Sequence, residues 1–286
     1  HLCLRNCSGG LLLLLWHFEH LQHEEAQGVM PLPFVIHRYR GFFGDYVPWY
    51  AIAVGVALAV MAIGLYFELH KHRNSSETRF LLCFPLSLIF GVVLACAFDA
   101  MFRGTWKTWF GDDVKQFGFV FLGWAIGVLT FVAVWGRCFG FGAKYMLDFY
   151  APLLAVGQAI GRIGCFLGGC CYGVPSAQFG VHYPKGSLPN DMCGDVGLFP
   201  IQLVESAWLF CVFAMCKRMD RRYSCAIYLI GMSAGRFCFE MFRHDRRGNV
   251  LGISALSPSQ VLSGILLLIG LVLFIVSRMT FKAKER

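Results

Sequence analysis

Two arginines stand inside stretches that otherwise have the composition of membrane spans. Arg162 lies in the run Gly161-Arg-Ile-Gly-Cys-Phe-Leu-Gly-Gly-Cys-Cys-Tyr-Gly173, and Arg236 lies in a later apolar stretch. An arginine at the centre of a membrane helix costs about 2.5 to 3.5 kcal/mol on insertion scales, so it usually faces a bundle interior or an aqueous cavity. Its guanidinium presents a planar fork of donors that suits phosphate and carboxylate. The two arginines therefore indicate a buried site for an anionic group.

Carboxylates stand at helical spacing beside these arginines. Arg236, Glu240 and Arg243 follow each other at i, i+4 and i+7, and Gln202 and Glu205 are three residues apart, so each set shares one helix face. Two arginines and two carboxylates from three segments predict a polar cavity that would hold a lipid phosphodiester and stabilise a leaving glycerol phosphate. A carboxylate or histidine would then deprotonate the incoming nucleophile. The alternative is that Arg236 and Glu240 only neutralise each other as a structural pair.

The segment around Arg162 has two neighbouring stripes. Gln158, Arg162 and Cys165 lie at i, i+4 and i+7, so they share a face that would present chemistry. Asp148 lies about four turns earlier and faces a similar way, about 21 Å along the axis, too far to pair with Arg162 directly. The adjacent stripe is made of small residues and is predicted to pack against other helices; it consists of Gly157, Gly161, Gly164 and Gly168.

The chain has 13 cysteines, an odd number without paired C-x-x-C units. A zinc site is therefore weakly supported, and no metal or cofactor is predicted. Thiol chemistry at Cys165, Cys170 and Cys171, such as transient acylation or redox exchange, stays open because a cysteine beside Arg162 could have a lowered pKa. Small residues at a tight helix crossing would explain Cys165 equally well.

Composition predicts an all-α, polytopic membrane bundle of about seven helices. The chain is 57% hydrophobic and 15% charged, against about 25% charged in soluble domains. A net charge of +8 fits cytoplasmic flanks and anionic headgroups, and no nucleic-acid motif competes with it. A modest excess of Lys and Arg favours an outside N-terminus and a cytoplasmic C-terminus. The predicted spans are roughly 47–67, 80–102, 117–136, 147–170, 200–216, 224–243 and 258–278.

Three regions follow from this pattern. Residues 1–46 contain an apolar run too short to span a bilayer and are predicted to be an interfacial or disordered extension. Residues 47–278 form the membrane domain, and 279–286 form a basic cytoplasmic tail. The loop 171–199 would be a lid, a docking surface or a passive surface loop.

Several motifs together resemble the prolipoprotein diacylglyceryl transferases, seven-helix enzymes of the bacterial inner membrane. Gly161 to Gly173 resembles the family signature G-R-[IL]-G-N-F-x-N-G-E-x-x-G, and Asp148-Phe-Tyr-Ala-Pro152 is similar to its D-x-x-A-P lead-in. Phe199 to Glu205 resembles H-P-[ST]-Q-L-Y-E, and Gly235 to Arg243 resembles F-R-[FI]-x-[IV]-E-F-[FL]-R. Trp49-Tyr50 is similar to an aromatic pair in the family's first helix.

The resemblance implies transfer of a diacylglyceryl group from phosphatidylglycerol, or a related anionic phospholipid, to the lipobox cysteine of a prolipoprotein in lipoprotein biosynthesis. It implies contacts of Arg162 and Arg236 with the headgroup and the transition state, and Glu205 is the candidate proton acceptor. The predicted catalytic residues are Arg162, Arg236 and Glu205, and the predicted substrate-binding residues are Tyr50, Asp148, Gln158, Cys165, Gly173, Gln202, Glu240 and Arg243.

The chain departs from the family pattern at several polar positions. Leu122 stands where the third helix of the family carries a histidine proposed to take part in catalysis. Cys165 and Cys170 occupy the Asn and Glu positions of the signature, and Phe199 and Val204 replace a His and a Tyr. The alternative to an enzyme is therefore a catalytically silent paralogue that binds phospholipid or a membrane partner.

Overall fold

The computed structural model describes residues 44, 48–71, 77–103, 121–244 and 257–285. They form eight α-helices, with 3-10 turns at Arg221–Tyr223 and Glu240–Phe242. The helices are α1 (Trp49–Lys71), α2 (Glu77–Arg103), α3 (Phe121–Cys138), α4 (Ala143–Leu167), α5 (Leu188–Cys193), α6 (Ile201–Arg218), α7 (Ser224–Phe239) and α8 (Pro258–Glu285). Within these ranges extended pairing is limited to isolated bridges.

Each predicted span contains a helix, which confirms an all-α membrane bundle. Five stretches are long and apolar enough to cross a bilayer: Trp49–His70, Glu77–Met101, Ala143–Leu167, Arg221–Phe242 and Ser259–Thr280. The predicted third and fifth spans correspond to the shorter helices α3 and α6. Pro258 begins α8 after Ser257, whose Oγ accepts from the Gln260 N–H at 3.2 Å and caps the helix.

Two predicted boundaries differ from the observed ones. The sixth span changes from α-helix to a 3-10 turn at Glu240, so the tighter turn carries the last motif residues. The last helix continues to Glu285, into the predicted basic tail. Residues 1–43, 45–47 and 286 lie outside the described residues, and with them most of the predicted N-terminal extension.

Helix α4 is the centre of the bundle. It packs against α1, α3, α6 and α7, and most of its residues are buried, including the polar Asp148, Gln158 and Arg162. The main core lies around it and contains Met61 of α1, Leu154 of α4 and Tyr228 of α7. A lipid-facing helix needs only one buried face, whereas α4 is enclosed on several sides and therefore shields its polar residues from lipid.

Glycines let the neighbours of α4 and α7 approach closely. A Cβ on Gly157 would lie 2.2 Å from Met61 Sδ, and one on Gly164 would lie 2.6 Å from Ala53 Cβ. A Cβ on Gly231 would lie 2.5 Å from a Val212 methyl group. The predicted packing stripe of α4 is confirmed at Gly157 and Gly164, but the prediction is wrong for Gly161, whose missing Cβ faces open space.

Polar contacts connect α4 to its neighbouring helices at both of its ends. Asp148 Oδ1 accepts from the Cys225 N–H at 2.9 Å and also pairs with Lys144, so it caps the start of α7 from the neighbouring helix. Arg162 lies near the other end of α4. We call these the Asp148 end and the Arg162 end of the bundle. At the Asp148 end, Glu68 of α1 pairs with two basic residues, Lys217 and Arg221.

The loop 171–199 folds into a small compact unit at the Arg162 end. Leu198 forms isolated antiparallel bridges with Pro175 and Val181. Tyr172 and Tyr183 pack with Leu198 and with Phe166 of α4 in a second apolar cluster. The loop is therefore packed onto the end of the bundle next to Arg162.

Candidate active site

A single carboxylate bridges the two arginines. Arg162 Nε lies 2.7 Å from Glu205 Oε2, and Arg236 Nη1 lies 3.2 Å from Glu205 Oε1. The arginines are each 7% exposed and Glu205 is 4% exposed. Three helices, α4, α6 and α7, thus contribute to one buried ionic site, and the sequence prediction of a shared polar cavity is consistent with this geometry.

Glu240 and Arg243 extend this bridge into a network. Arg236 Nη2 contacts Glu240 Oε2 at 2.7 Å, an ion pair without hydrogen-bond alignment, and Arg243 Nε lies 3.9 Å from the same oxygen. The Ser257 hydroxyl donates to Glu240 Oε1 at 3.3 Å, which joins the start of α8 to the network. Arg236 therefore contacts two carboxylates, so the predicted pairing with Glu240 alone describes only half of its surroundings.

The network is rich in guanidinium groups. Its ion pairs join three guanidiniums, from Arg162, Arg236 and Arg243, to the carboxylates of Glu205 and Glu240. Each guanidinium presents several N–H donors in a planar fork that suits phosphate as well as carboxylate. The site is therefore suited to an anionic guest such as a phosphodiester.

The first turns of α6 align Glu205 with the end of α4. Gln202 Nε2 donates to the Cys170 carbonyl at 2.8 Å, and Ser206 Oγ donates to the Ala159 carbonyl at 2.8 Å. These bonds lie on either side of Glu205 along α6 and fix its distance from Arg162. Ser206 is not among the residues predicted from the sequence, although its i+4 spacing from Gln202 would have indicated it.

Exposed apolar side chains lie next to the ionic network in sequence. Val204, beside Glu205, is 38% exposed, and Phe237, beside Arg236, is 37% exposed. Met241 follows Glu240 and is 71% exposed. In a bilayer such surfaces contact acyl chains. The buried charges therefore lie one residue away from surfaces suited to lipid.

Of the remaining predicted site residues, Tyr50, Gly173 and Gln158 lie near the ionic network, and Asp148 lies far from it. Tyr50 packs against Gly168 near Arg162, and Gly173 forms an antiparallel bridge with Arg243. Gln158 accepts from the Tyr228 hydroxyl at 3.2 Å, one turn below Arg162. Asp148 is not brought to the network, because it caps α7 at the opposite end of α4.

Gly173 is held too tightly to carry a side chain. A Cβ there would lie 2.5 Å from the Phe199 carbonyl oxygen and 3.0 Å from that of Phe242. The Gly173 N–H donates to the Phe199 carbonyl at 3.2 Å. The loop backbone is thus clamped between the segments that lead into Glu205 and Arg243, so Gly173 acts on the site through backbone packing.

Leu122 is part of the main apolar core. It is 2% exposed and lies in the cluster that also contains Met146 and Leu154. A leucine has no proton to exchange, so this position supplies packing and no base. Among the predicted site residues, Glu205 is the carboxylate that contacts both Arg162 and Arg236.

Three thiols meet where α4 runs into the loop. The Sγ atoms of Cys165, Cys170 and Cys171 all lie within 4.8 Å of one another. Hydrogen bonding among these thiols, with burial, raises the pKa of Cys170 well above its usual value. The spacing of these cysteines did not predict a ligand set, and the structure now offers one.

Comparisons with known proteins place the chain in a family. A family model described as prolipoprotein diacylglyceryl transferase matches residues 42–276. The chain is 29% identical over 248 residues to a protein of Clostridium perfringens named phosphatidylglycerol--prolipoprotein diacylglyceryl transferase 2, covering 83% of this chain and 93% of that protein. A Geobacillus kaustophilus protein named phosphatidylglycerol--prolipoprotein diacylglyceryl transferase is 29% identical over 83% of this chain and 91% of its own length.

A further relative is more similar over a shorter stretch. A Clostridium tetani protein, also named phosphatidylglycerol--prolipoprotein diacylglyceryl transferase, is 34% identical over 169 residues, which are 56% of this chain and 65% of that protein. The family model spans all the motifs that form the ionic network, from Arg162 to Arg243. The chain belongs to the prolipoprotein diacylglyceryl transferase family.

Proposed function

We propose that the protein is a membrane enzyme that transfers a diacylglyceryl group from phosphatidylglycerol to the lipobox cysteine thiol of a prolipoprotein. The observation that carries this proposal is the buried bridge of Arg162, Glu205 and Arg236. The names of the relatives specify the donor lipid and the acceptor protein. Membership of the family supports the same reaction here.

The network binds the lipid by its phosphate. A phosphodiester brings one negative charge and acceptor oxygens that guanidinium groups bind well. Arg162 and Arg236 supply the donors, and Glu205 holds the two guanidiniums at a fixed separation. The exposed apolar surfaces of Val204 and Phe237 accommodate the acyl chains, which stay in the bilayer. The headgroup thus enters protein while the tails remain in lipid.

The reaction replaces a carbon–oxygen bond by a carbon–sulfur bond. The acceptor thiol loses its proton, and its sulfur attacks the glycerol carbon that carries the phosphate oxygen. The bond from that carbon to oxygen breaks, and glycerol phosphate leaves with the electron pair. Negative charge grows on the leaving phosphate oxygen, and preorganised guanidiniums at that point stabilise the transition state more than the ground state.

Glu205 is the proposed proton acceptor. It is a buried carboxylate that contacts both arginines, so it lies close to any phosphate they hold. A proton received from the thiol would neutralise Glu205 while the leaving phosphate gains charge, so the total charge of the site stays constant. Glu240 contacts Arg236 from its other side, and Arg243 lies against Glu240 in turn, so Glu240 supports the position of Arg236.

The protein would reside in the bacterial inner membrane, with its N-terminus outside and its C-terminus in the cytoplasm. Basic residues concentrate at the Asp148 end of the bundle, including Lys144, Lys217 and Arg221, and cytoplasmic flanks are typically basic. The Arg162 end would then lie toward the outer surface, where the acceptor protein arrives. Reporter fusions at the C-terminus test this orientation, and an external reporter signal contradicts it.

The deciding experiment uses the purified protein with labelled phosphatidylglycerol and a lipobox peptide. We expect a peptide carrying a diacylglyceryl thioether, detected by mass, and release of glycerol phosphate. Arg162→Gln and Arg236→Gln should lose both lipid binding and product. Arg222→Gln is the matched control, because Arg222 is partly exposed and pairs with Asp220 away from the network, so this variant should keep both lipid binding and product formation.

The silent alternative has a different outcome. Leu122 favours it, since the core position it fills carries no base. A silent paralogue would bind phosphatidylglycerol through Arg162 and Arg236 and form no thioether in the wild-type protein. That result would refute the transferase proposal and leave the lipid site in place.

A further inference from the structure

We propose that Cys165, Cys170 and Cys171 form a binding site for one soft metal ion, Cu(I). Their Sγ atoms all lie within 4.8 Å of one another, with two of the residues buried and the third partly buried. Metal–sulfur bonds of about 2.3 Å place three thiolates about 4 Å apart in a trigonal plane. The ion therefore fits after shifts of about an ångström or less.

The backbone holds this thiol cluster in place. The Cys170 N–H donates to the Cys165 carbonyl at 3.0 Å, and Gln202 of α6 donates to the Cys170 carbonyl at 2.8 Å. Cys171 has a φ of 58°, and it is the only non-glycine residue with positive φ among the described residues. A side chain rarely adopts this region without support from its surroundings. The fold thus places Cys171 beside the other two thiols despite a backbone cost.

The number and type of ligands favour Cu(I). Thiolates are soft ligands that select Cu(I), zinc or iron–sulfur clusters over magnesium or calcium. A structural zinc site takes four protein ligands, whereas this cluster within the described residues contains three and no further His, Cys, Asp or Glu. Cu(I) accepts a trigonal set of thiolates, so the three cysteines satisfy it without a fourth group.

Binding is an exchange of protons for metal without electron transfer. Each thiol releases its proton and forms a bond to the ion, and copper stays in the Cu(I) state throughout. A cuprous ion with three thiolates carries two negative charges in total. The Arg162 guanidinium lies close enough to Cys165 and Cys171 to attract both, and it therefore offsets part of this charge.

The test is an anaerobic titration of the purified full-length protein with Cu(I) against a chromogenic Cu(I) chelator. We expect one tight equivalent, with X-ray absorption showing sulfur neighbours at about 2.3 Å. Loss of a residue that only supports a metal ligand costs roughly 10- to 100-fold in metal affinity. Cys171 would be a direct ligand, so Cys171→Ser should lower the Cu(I) affinity by more than this. Cys211→Ser changes an exposed cysteine on α6 outside the cluster and should leave the affinity unchanged.

A second measurement avoids dependence on folding of the variants. Bound Cu(I) should protect Cys165, Cys170 and Cys171 of the wild-type protein from alkylation, read by peptide mass spectrometry, while Cys211 is still labelled. Absence of a tight equivalent, or an equivalent unaffected by Cys171→Ser, overturns the site. Tighter binding of Zn(II) with four ligands overturns the assignment to Cu(I).

Discussion

Replacing Glu205 by glutamine separates lipid binding from chemistry. The substitution keeps the size of the side chain but removes the charge that bridges Arg162 and Arg236. One negative charge is thus removed beside Arg162 and Arg236, so the local potential becomes more positive and the attraction for an anionic headgroup increases. We therefore expect Glu205→Gln to bind phosphatidylglycerol vesicles at least as well as wild type.

Turnover should fall while binding persists. Loss of a general base typically costs about 10²- to 10⁴-fold in rate, which corresponds to about 2.7 to 5.4 kcal/mol in the barrier. Removing one partner of a buried ion pair also destabilises the fold by about 3 to 5 kcal/mol, so unfolding must be followed in parallel. The assay measures thioether formation at saturating lipid and, separately, lipid binding by the folded fraction. Glu205→Asp, which retains the charge, should recover part of the turnover.

Glu68 provides the matched control. It is also a carboxylate that pairs with two basic residues, Lys217 and Arg221, but it lies at the opposite end of the bundle. Glu68→Gln should cost some stability and leave turnover per folded molecule unchanged. The proton-acceptor role of Glu205 is refuted if Glu205→Gln retains turnover within about 10-fold of wild type. Parallel loss of lipid binding and turnover would instead show that Glu205 only positions the arginines.

Three further substitutions and one control test the scaffold. Gly173→Ala should lower both the unfolding temperature and turnover because its Cβ would lie 2.5 Å from a carbonyl oxygen, whereas the control Gly161→Ala, which faces open space, should behave as wild type. Asp148→Ala should destabilise the protein in detergent by about 0.5 to 2 kcal/mol through loss of the cap on α7, with lipid affinity unchanged; a loss of affinity would place Asp148 in the lipid site after all. Trp208→Phe removes a 2.8 Å hydrogen bond to the Gly231 carbonyl and should cost about 0.5 to 1.5 kcal/mol, and unaltered unfolding would contradict a contribution from that bond.

Helical periodicity and residue type were sufficient to predict the bundle and the faces that meet in it. Spacing placed Gln202 and Glu205 on one face; Glu205 contacts Arg162 of α4, and Gln202 contacts Cys170 just after that helix. The small-residue stripe predicted close packing at Gly157 and Gly164. These inferences succeed because they depend on the geometry of one helix, which the sequence encodes directly.

Spacing within one helix did not predict which residues meet between helices. That Glu205 would bridge two arginines depends on the relative height of α4, α6 and α7, which no spacing within one helix encodes. Asp148 shows the same limit, since its partner is the start of a helix 77 residues later in the chain. The thiol cluster depends on the left-handed backbone of Cys171, and glycine, not cysteine, is the residue that normally signals such a conformation.

The distribution of polar contacts divides the bundle into a fixed part and a part that can tilt. Hydrogen bonds and ion pairs join α4, α6 and α7 near the Arg162 end, and such bonds break when helices slide. Helix α1 is tied to α6 by the ion pairs of Glu68 at the Asp148 end, and it meets α4 elsewhere through glycine packing, as at Gly164. Van der Waals contacts of this kind change gradually with small displacements. A tilt of α1 about its Glu68 end would therefore change these packing contacts gradually, and it would widen the bundle beside Tyr50 without breaking the ion pairs of Glu205.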